Sequence, residues 1–417
     1  LSVILTEKDD LASATSSSSS KLIHGGLRYL EQYEFRLVAE ALAEREVLLA
    51  IARHLVWPAR FVMPHVPELR PRWMIRAGLF LYDNLGRFGT ALGSHQPSLP
   101  GSRGVRLDLP PLDSGLKPQF RHGFEYSDCR VDDARLVVAN ALSARELGAT
   151  VLTRTGCVSA ERRHGVWHAV LSNGASVAAR AIVNAAGPWV KQALNERFGQ
   201  PSRDAVRLVK GSHIVLPQLY QGEHAFLLQN DDRRVIFMIP YEGRYTLVGT
   251  TDVAVTDAVR PQVSAEEVSY LCRALNRYLV RPVAPAQVVW RYAGVRPLYD
   301  DGTSDPSAVT RDYTLRLDDA AGAAPVLSVF GGKITTYRRL AEQALDKLAP
   351  YLVGMKSAWT ATAALPGSDF GARGRAAARD ALYARFPQLA QETLRGIFRR
   401  HGTRATDVVG DGDLGEH

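Results

Sequence analysis

Apolar and polar positions in the first third of the chain indicate a strand, a helix and an irregular stretch. Residues 2–7 form a short apolar run that ends in Glu7, which predicts a buried strand. Residues 33–55 place apolar side chains three and four positions apart, which predicts a helix. Residues 56–125 are rich in Pro, Gly and Arg and lack a regular period, so we expect an insertion over another layer. The inner face of the helix would contain Phe35, Val38, Leu42, Val47, Leu48 and Ile51.

The rest of the chain has a more regular pattern. Asp132 or Asp133 can cap a helix over residues 134–147, which Gly148 would end. Residues 181–187 predict a buried strand that runs into a Gly-Pro turn. The other predicted strands are at 150–153, 158–162, 166–171, 207–216, 225–230, 234–240, 245–251 and within 288–330. The other predicted helices are at 264–280, at 335–349 and in the tail from Ser357.

Composition limits the classes of protein and of site. A length of 417 residues suggests roughly two or three domains. The net charge of +8 would suit an anionic substrate or lipid, but the basic residues are scattered, which disfavours nucleic acid. Cys129, Cys157 and Cys272 lie far apart, so we expect no metal site and no disulfide framework. This cysteine usage makes a reducing, cytoplasmic setting the expectation. No signal peptide and no apolar run of about 20 residues is visible.

The most informative segment is residues 15–30, where a serine run leads into Lys21, His24 and Arg28. Hydroxyl, imidazole and cationic groups at one loop-to-helix junction suit a bound polyanion and a reacting centre. The alternative is a flexible serine-rich linker. The linker is disfavoured because the run continues directly into an apolar segment and a long amphipathic helix.

Two strand ends resemble parts of a dinucleotide site. An acid such as Glu7 at a strand end can bond a ribose, although many ordinary strands end in Glu. The phosphate-binding GxGxxG loop is absent from this sequence. Ala186 and Gly187 follow another strand, where glycine permits a flat ligand to approach the backbone. An ordinary strand-to-turn junction would explain that segment equally well.

Two further segments contribute cations. Residues 327–337 read Leu-Ser-Val-Phe-Gly-Gly-Lys-Ile-Thr-Thr-Tyr, in which two glycines open a helix and Lys333 and Thr336 add donors. Arg296, between Val and Pro on a predicted strand, and Arg311 can bind phosphate or carboxylate with two parallel hydrogen bonds. A simple helix start and surface salt bridges are the alternatives.

Six segments in order give the sequence a specific resemblance: 19–31, 184–190, 209–215, 249–252, 294–298 and 330–337. With these segments the chain closely resembles the aerobic, FAD-dependent glycerol-3-phosphate dehydrogenases of bacteria. The resemblance covers nearly the whole chain and departs at both ends. That family begins with a glycine-rich FAD-pyrophosphate loop and ends in a longer helical domain, so we expect a chain truncated at both ends.

The resemblance implies a mixed α/β fold, with an FAD-binding nucleotide fold around a central parallel sheet and a substrate domain built on an antiparallel sheet. The FAD-binding domain would comprise 1–65, 125–200 and 326–350, without its first βα unit. The substrate domain would comprise 66–124 and 201–325. Residues 355–417 would begin a C-terminal helical domain.

The resemblance also assigns residues to FAD and to substrate. Substrate would contact Arg28, Tyr29, Arg296, Arg311 and Lys333. The cofactor would contact Glu7, Thr15, Ser16, Ser17, Ser20, Lys21, His24, Gly25, Val158, Ala186, Gly187, Gly332, Lys333 and Thr335.

The implied reaction is oxidation of sn-glycerol 3-phosphate to dihydroxyacetone phosphate, with hydride transfer to FAD. The catalytic set would be His24, His213, Arg296 and Lys333. A histidine is the expected base, His24 first and His213 second, because arginine stays protonated. Lys333 would stabilise the reduced flavin. A structural histidine bonded to the serine-rich loop is the alternative for His24.

Electrons would pass to a membrane quinone from a protein peripheral on the inner face of the cytoplasmic membrane. Residues 70–88 mix arginines with Trp73 and Phe80, as an interfacial segment requires, although a core helix is the alternative. A homodimer is an assembly that the sequence leaves open. Competing hypotheses are a glycerol-3-phosphate oxidase that uses oxygen, an amine or amino-acid oxidoreductase of the same fold, and a non-catalytic fragment that lacks the pyrophosphate loop.

Overall fold

The computed structural model describes residues 1–88, 98–202, 204–232, 234–300, 312–319 and 322–411. The helices are α1 (Phe35–Ile51), α2 (Arg72–Phe88), α3 (Asp133–Glu146), α4 (Val190–Gln192), α5 (Ala265–Tyr278), α6 (Tyr337–Leu348), α7 (Gly374–Arg385), α8 (Gln391–His401) and α9 (Ala405–Val409). The first strands are β1 (Ile4–Thr6), β2 (Leu22–Ile23), β3 (Val56–Pro64), β4 (Arg103–Arg106), β5 (His122–Val131), β6 (Thr150–Leu152), β7 (Cys157–Arg163), β8 (Val166–Leu171) and β9 (Ser176–Ala179). The remaining strands are β10 (Ile182–Asn184), β11 (Val206–Pro217), β12 (Ala225–Gln229), β13 (Val235–Tyr241), β14 (Tyr245–Gly249), β15 (Val253–Val255), β16 (Trp290–Tyr299), β17 (Thr314–Asp318) and β18 (Val326–Phe330).

Parallel pairing is found in two small sheets. β1 pairs with β6 and β10 pairs with β18, both in parallel, while β17 adds an antiparallel edge to β18. The strand predicted within residues 2–7 is present as β1, but its predicted burial was wrong, because Ile4 and Leu5 are 43% and 40% exposed. β1 has β6 as its partner, and no described element covers these two side chains. The strand predicted to be buried within residues 181–187 is present as β10 but is only partly buried, because Val183 is 50% exposed while Asn184 is buried.

A ten-stranded sheet forms the second part of the molecule. Eight strands lie in the order β15-β11-β14-β13-β12-β3-β5-β2, and β16 and β4 pair with β11 and β5. Its main core lies between the sheet and α5, and it includes Ile214, Phe226 and Leu271. Strands β2, β3 and β5 come mostly from the predicted FAD-binding domain, but they belong to the same sheet as strands from residues 201–325 of the predicted substrate domain. One sheet therefore includes residues of both predicted domains. That division stays a prediction.

Residues 56–125 are more regular than the sequence suggested. They contain β3, α2, β4 and the start of β5, and Pro58 and Pro64 concealed the strand pattern of β3. Pro58 is tolerated because it faces Cys129 of β5 on one side, while β12 pairs with β3 only at Phe61 and Val62. A proline in a strand removes a hydrogen-bond donor, which costs little where one edge has no partner.

The predicted N-cap of α3 is confirmed. The Asp132 side chain accepts a hydrogen bond from the Arg135 amide at 3.2 Å and caps α3. Phe35 was placed on the inner face of α1 but is 40% exposed, because it is the first residue of the helix and points away from the buried stripe. The tail is helical only from Gly374, not from Ser357. None of the helices in the described ranges combines the length and the apolar character that crossing a bilayer requires.

Candidate active site

The serine-rich segment is fixed to the start of α3. The Ser19 hydroxyl donates to Oδ2 of Asp133 at 2.7 Å, and Lys21 Nζ donates to Oδ1 of the same carboxylate at 2.8 Å. Lys21 Nζ also donates to the Ser17 carbonyl at 3.1 Å. Asp133 is 1% exposed, so its negative charge is held in place by these donors. The segment is therefore an ordered loop with a neutralised cation, rather than a flexible linker.

The same segment packs against β16. The Thr15 hydroxyl donates to the Val295 carbonyl at 2.7 Å, and the Tyr292 hydroxyl donates to the Ser19 carbonyl at 2.9 Å. Gly294 permits this approach, because a Cβ there would lie 2.8 Å from Cβ of Ser18. The contact places the serine-rich segment at the edge of β16. Ser16 in this segment is exposed.

His213 is buried beside the serine-rich segment, and its imidazole is neutral at neutral pH. Its Nε2 is 2.9 Å from the Ser20 hydroxyl, and its ring stacks on Tyr292 with centroids 4.8 Å apart. Burial, followed by the charges of Arg296 and Lys21, lowers the pKa of His213 to about 3. At neutral pH this imidazole is a weak base, which favours His24 for proton transfer.

Buried histidines predict acid sensitivity of the fold. Their ordinary pKa is 6.5, and burial is the main cause of each lowered value. Between about pH 6.5 and about pH 4 the unfolded chain binds protons that the folded chain does not, so the free energy of unfolding should fall as pH falls. The residues and their pKa values are His54, His224 and His401 at about 4 and His213 at about 3.

Thermal melting across this pH range is the measurement. The melting temperature of His224→Gln should depend less on pH than that of the parent, whereas exposed His164→Gln should follow the parent. A parent with a constant melting temperature from about pH 6.5 to about pH 4 would contradict the expectation.

The segment around His24 meets the loop after β18. The His24 amide lies 3.2 Å from the Thr335 hydroxyl, which in turn lies 3.3 Å from the His24 carbonyl. Lys333 Nζ lies 3.8 Å from the centroid of the Tyr29 ring, within the range of a cation–π contact. The structure thus brings together four sequence-predicted residues: His24, Tyr29, Lys333 and Thr335.

The loop after β18 requires glycine. Gly331 and Gly332 have φ of +81° and +114°, in the left-handed region. A Cβ on Gly331 would also lie 2.9 Å from the Asp312 carbonyl oxygen. The two glycines leave a backbone surface without side chains directly before the buried Lys333 ammonium.

Arg296 is fixed on β16 by an ion pair that the sequence did not reveal. Its Nη1 donates to Asp252, and its Nη2 donates to the Thr250 hydroxyl at 2.8 Å. Asp252 was within a segment quoted for the resemblance, but nothing in its pattern indicated a partner 44 residues away. Arg28 is half-buried next to Tyr29. Arg311 lies outside the described residues.

The predicted ribose and adenine contacts form a second group. Lys8, which follows Glu7, lies with Nζ 4.3 Å from the centroid of the Trp189 ring, so the end of β1 adjoins the turn that begins at Gly187. Val158 is 45% exposed, and its carbonyl accepts from Arg197 at 3.2 Å. β16 contacts both the 15–17 turn and the 187–189 turn, which connects this group to the serine-rich segment.

These residues fit FAD. The loops after β1, β10 and β18 lie at the carboxyl ends of parallel strands, where open α/β sheets bind nucleotides. In the described part of the chain, Nδ1 of His213 and Oγ1 of Thr336 are buried polar atoms without a hydrogen-bond partner. A polar cofactor can supply partners to such atoms, and Gly331 and Gly332 leave room for its ring.

Comparison with known proteins agrees with this geometry. Residues 1–338 match the family described as FAD dependent oxidoreductase. The chain is 54% identical to the glycerol-3-phosphate dehydrogenase of Pseudomonas aeruginosa, over 100% of this chain and 81% of that protein. It is 49% identical to the aerobic glycerol-3-phosphate dehydrogenase of Escherichia coli, over 100% and 83% of the two chains. It is also 48% identical to the D-erythritol 1-phosphate dehydrogenase of Brucella abortus, over 98% and 81%.

The fold has a counterpart among solved structures. The glycerol-3-phosphate dehydrogenase of Bacillus halodurans, complexed with FAD, superposes with a TM-score of 0.73 at 24% identity, covering 98% of this chain and 72% of that one. The predicted mixed α/β FAD-binding fold is confirmed, and the cofactor is FAD. The chain therefore belongs to the FAD-dependent oxidoreductases, and within them to the group that contains the bacterial glycerol-3-phosphate dehydrogenases.

Proposed function

We propose that this enzyme oxidises sn-glycerol 3-phosphate to dihydroxyacetone phosphate and that the electrons pass from its FAD to a membrane quinone. The observation that supports the substrate best is the junction of His24, Tyr29 and Lys333, with Arg28 next in the chain. Cations beside a potential base suit a phosphorylated alcohol, which needs charge neutralisation at one end and proton removal at the other.

Each residue then has a role. Arg28 and Arg296 bind the phosphate, and Asp252 and Thr250 hold Arg296 in its orientation. Lys333 adds positive charge beside Tyr29 at the reacting end. His24 takes the proton of the C2 hydroxyl. FAD, when bound, supplies the hydride acceptor.

The alternatives differ in substrate and in acceptor. The Brucella abortus relative is named for D-erythritol 1-phosphate, so the group includes more than one phosphorylated polyol. Amino acids lack the phosphate for which several cations are suited. We expect kcat/KM to be highest for sn-glycerol 3-phosphate among this substrate, D-erythritol 1-phosphate and glycine. Peroxide equal to substrate consumed under air would favour an oxidase instead.

The proposed contact with the membrane rests on α2. Its buried side includes Ile75, Leu79 and Tyr82, which pack in the core, so the alternative of a core helix holds for one face only. Its other side exposes Trp73 and Phe80 at 69% and 64%. Exposed aromatic groups between arginines are typical of a helix that lies in a membrane interface. We therefore propose peripheral attachment to the inner face of the cytoplasmic membrane through α2.

Charge reversal on α2 should separate lipid binding from chemistry. Arg72→Glu with Arg76→Glu should weaken binding to anionic vesicles by at least roughly 30-fold, because each of the two lost cations contributes about 1 kcal/mol and the two new carboxylates are repelled by the anionic surface. Quinone reduction in the vesicles should fall with it, while turnover with a soluble dye stays unchanged. Vesicle sedimentation and quinone reduction are the measurements.

The matched control changes the net charge equally but elsewhere. Arg379→Glu with Arg385→Glu reverses two exposed arginines of α7. If both double variants lose vesicle binding to the same extent, the attraction is a property of net charge and α2 is not the docking surface.

A further inference from the structure

A buried hydrogen-bond network connects α1 and α2 to the segment that contains His24. Asp128 of β5 is 2% exposed, and its Oδ1 accepts from Arg45 of α1 at 2.9 Å. Its Oδ2 accepts from the hydroxyl of Tyr82 of α2 at 2.6 Å. The Gly25 amide donates to the oxygen of the same Tyr82 hydroxyl at 2.9 Å. Tyr82 is therefore the direct contact between α2 and the residue that follows His24.

The contact between Tyr82 and Gly25 is closely packed. A Cβ on Gly25 would lie 2.6 Å from Cδ2 of Leu42 and 2.8 Å from the Tyr82 hydroxyl oxygen. α2 also approaches α1 closely at Gly86, where a Cβ would lie 3.2 Å from Cβ of Leu42. Gly25 is thus enclosed between the two helices, and a small displacement of α2 must reach its backbone.

The hydroxyl keeps its proton. Burial, with the charge of Asp128 beside it, raises the pKa of Tyr82 well above its usual value. A protonated Tyr82 donates to the carboxylate and accepts from the Gly25 amide at the same time. Phenylalanine would fill the same volume, remove both bonds and leave the Gly25 amide with a 3.4 Å contact to Asp128.

We propose that Tyr82 is a positioning residue for the reaction, because it fixes the His24–Gly25 backbone and so holds the His24 imidazole where it removes the substrate proton. The inference rests on the proposed function, since it assigns the proton transfer to His24. It predicts that defects in α2 slow the chemical step more than they weaken substrate binding, because misplacing a catalytic group lowers rate at unchanged affinity.

The test is single-turnover reduction of the FAD-loaded enzyme by sn-glycerol 3-phosphate without oxygen. Tyr82→Phe should slow flavin reduction roughly 10- to 100-fold, with the apparent Kd for substrate changed less than about 3-fold. The control is Tyr126→Phe, the same change in the adjacent buried ring, whose centroid is 5.8 Å from that of Tyr82. Tyr126→Phe leaves all hydrogen bonds of the network in place, so its FAD should be reduced at the parent rate.

A second pair displaces α2 without touching the network. Gly86→Ala presses on Leu42 and should slow reduction roughly 3- to 10-fold, whereas Gly78→Ala, with open space around its Cβ, should not. This pair decides the question if Tyr82→Phe does not fold. Equal rates in Tyr82→Phe and Tyr126→Phe, or in the two alanine variants, overturn the inference. A parent whose FAD no phosphorylated polyol reduces overturns the proposed function and the inference together.

Discussion

Arg296→Ala in the FAD-loaded enzyme is expected to lower kcat/KM for sn-glycerol 3-phosphate by roughly 30- to 1000-fold. A charge-assisted contact to the phosphate that is fully made in the transition state contributes about 2–4 kcal/mol, which corresponds to this range. β16 fixes Arg296 in the sheet, and Asp252 and Thr250 orient its guanidinium. Steady-state kinetics with a soluble dye measure the effect.

Two variants separate this role from a structural one. Arg296→Lys keeps the charge but not the planar fork, and it should recover only part of the activity. Arg291→Ala removes an exposed arginine from the same strand and should have parental kinetics. FAD content should be unchanged in all three proteins. Parental kcat/KM in a folded Arg296→Ala protein would remove Arg296 from the substrate site.

Arg338→Ala is expected to destabilise the fold by about 3–5 kcal/mol, because it leaves the buried Glu44 carboxylate without its cation. Arg338 of α6 is 4% exposed and donates to both oxygens of Glu44 of α1, from Nη2 at 2.5 Å and from Nε at 2.9 Å. It also donates to Glu342. Equilibrium unfolding in urea, followed by tryptophan fluorescence, measures the loss.

The adjacent arginine provides the control for this prediction. Arg339 pairs with Glu342 at 3.2 Å, but its side chain is 38% exposed, so Arg339→Ala should cost only about 0–1 kcal/mol. The comparison matters for the site, because the Arg338–Glu44 pair joins α1 to the helix that follows Lys333. Equal destabilisation by the two substitutions would contradict the assigned role of burial.

Local patterns predicted the elements that local chemistry determines. The cap of α3 follows from an acidic side chain within three residues of the helix start, and the strands β11 to β14 follow from the apolar pattern along each strand. Only β12, β13 and β14 form a meander, because β11 pairs with β14 and not with β12. β3 was missed because its prolines resemble loop signals until the partner strands are known. The exposure of Ile4 and Leu5 depends on which strands lie beside β1, which no local pattern contains.

The sequence indicated residues of the candidate site, but not the acidic side chains that hold them in position. His24 and Lys333 were identified from their segments and Thr335 from the family resemblance, and the structure places the three together. Asp133, Asp252 and Asp128 were not assigned to the site, although they hold Lys21, Arg296 and the Gly25 loop. Each is an acid whose partner lies far along the chain, 112 residues away for Lys21–Asp133. Pairing at such separations is a consequence of the tertiary fold and leaves no periodic signal.

Anaerobic titration of the FAD-loaded enzyme with sn-glycerol 3-phosphate tests the central proposal most directly. We expect the visible flavin absorbance to bleach with one equivalent of substrate oxidised per FAD, and one equivalent of dihydroxyacetone phosphate to appear. D-erythritol 1-phosphate and glycine in parallel titrations should bleach it far more slowly. A flavin that stays oxidised with sn-glycerol 3-phosphate, but is reduced by one of the other two compounds, would contradict the proposed function.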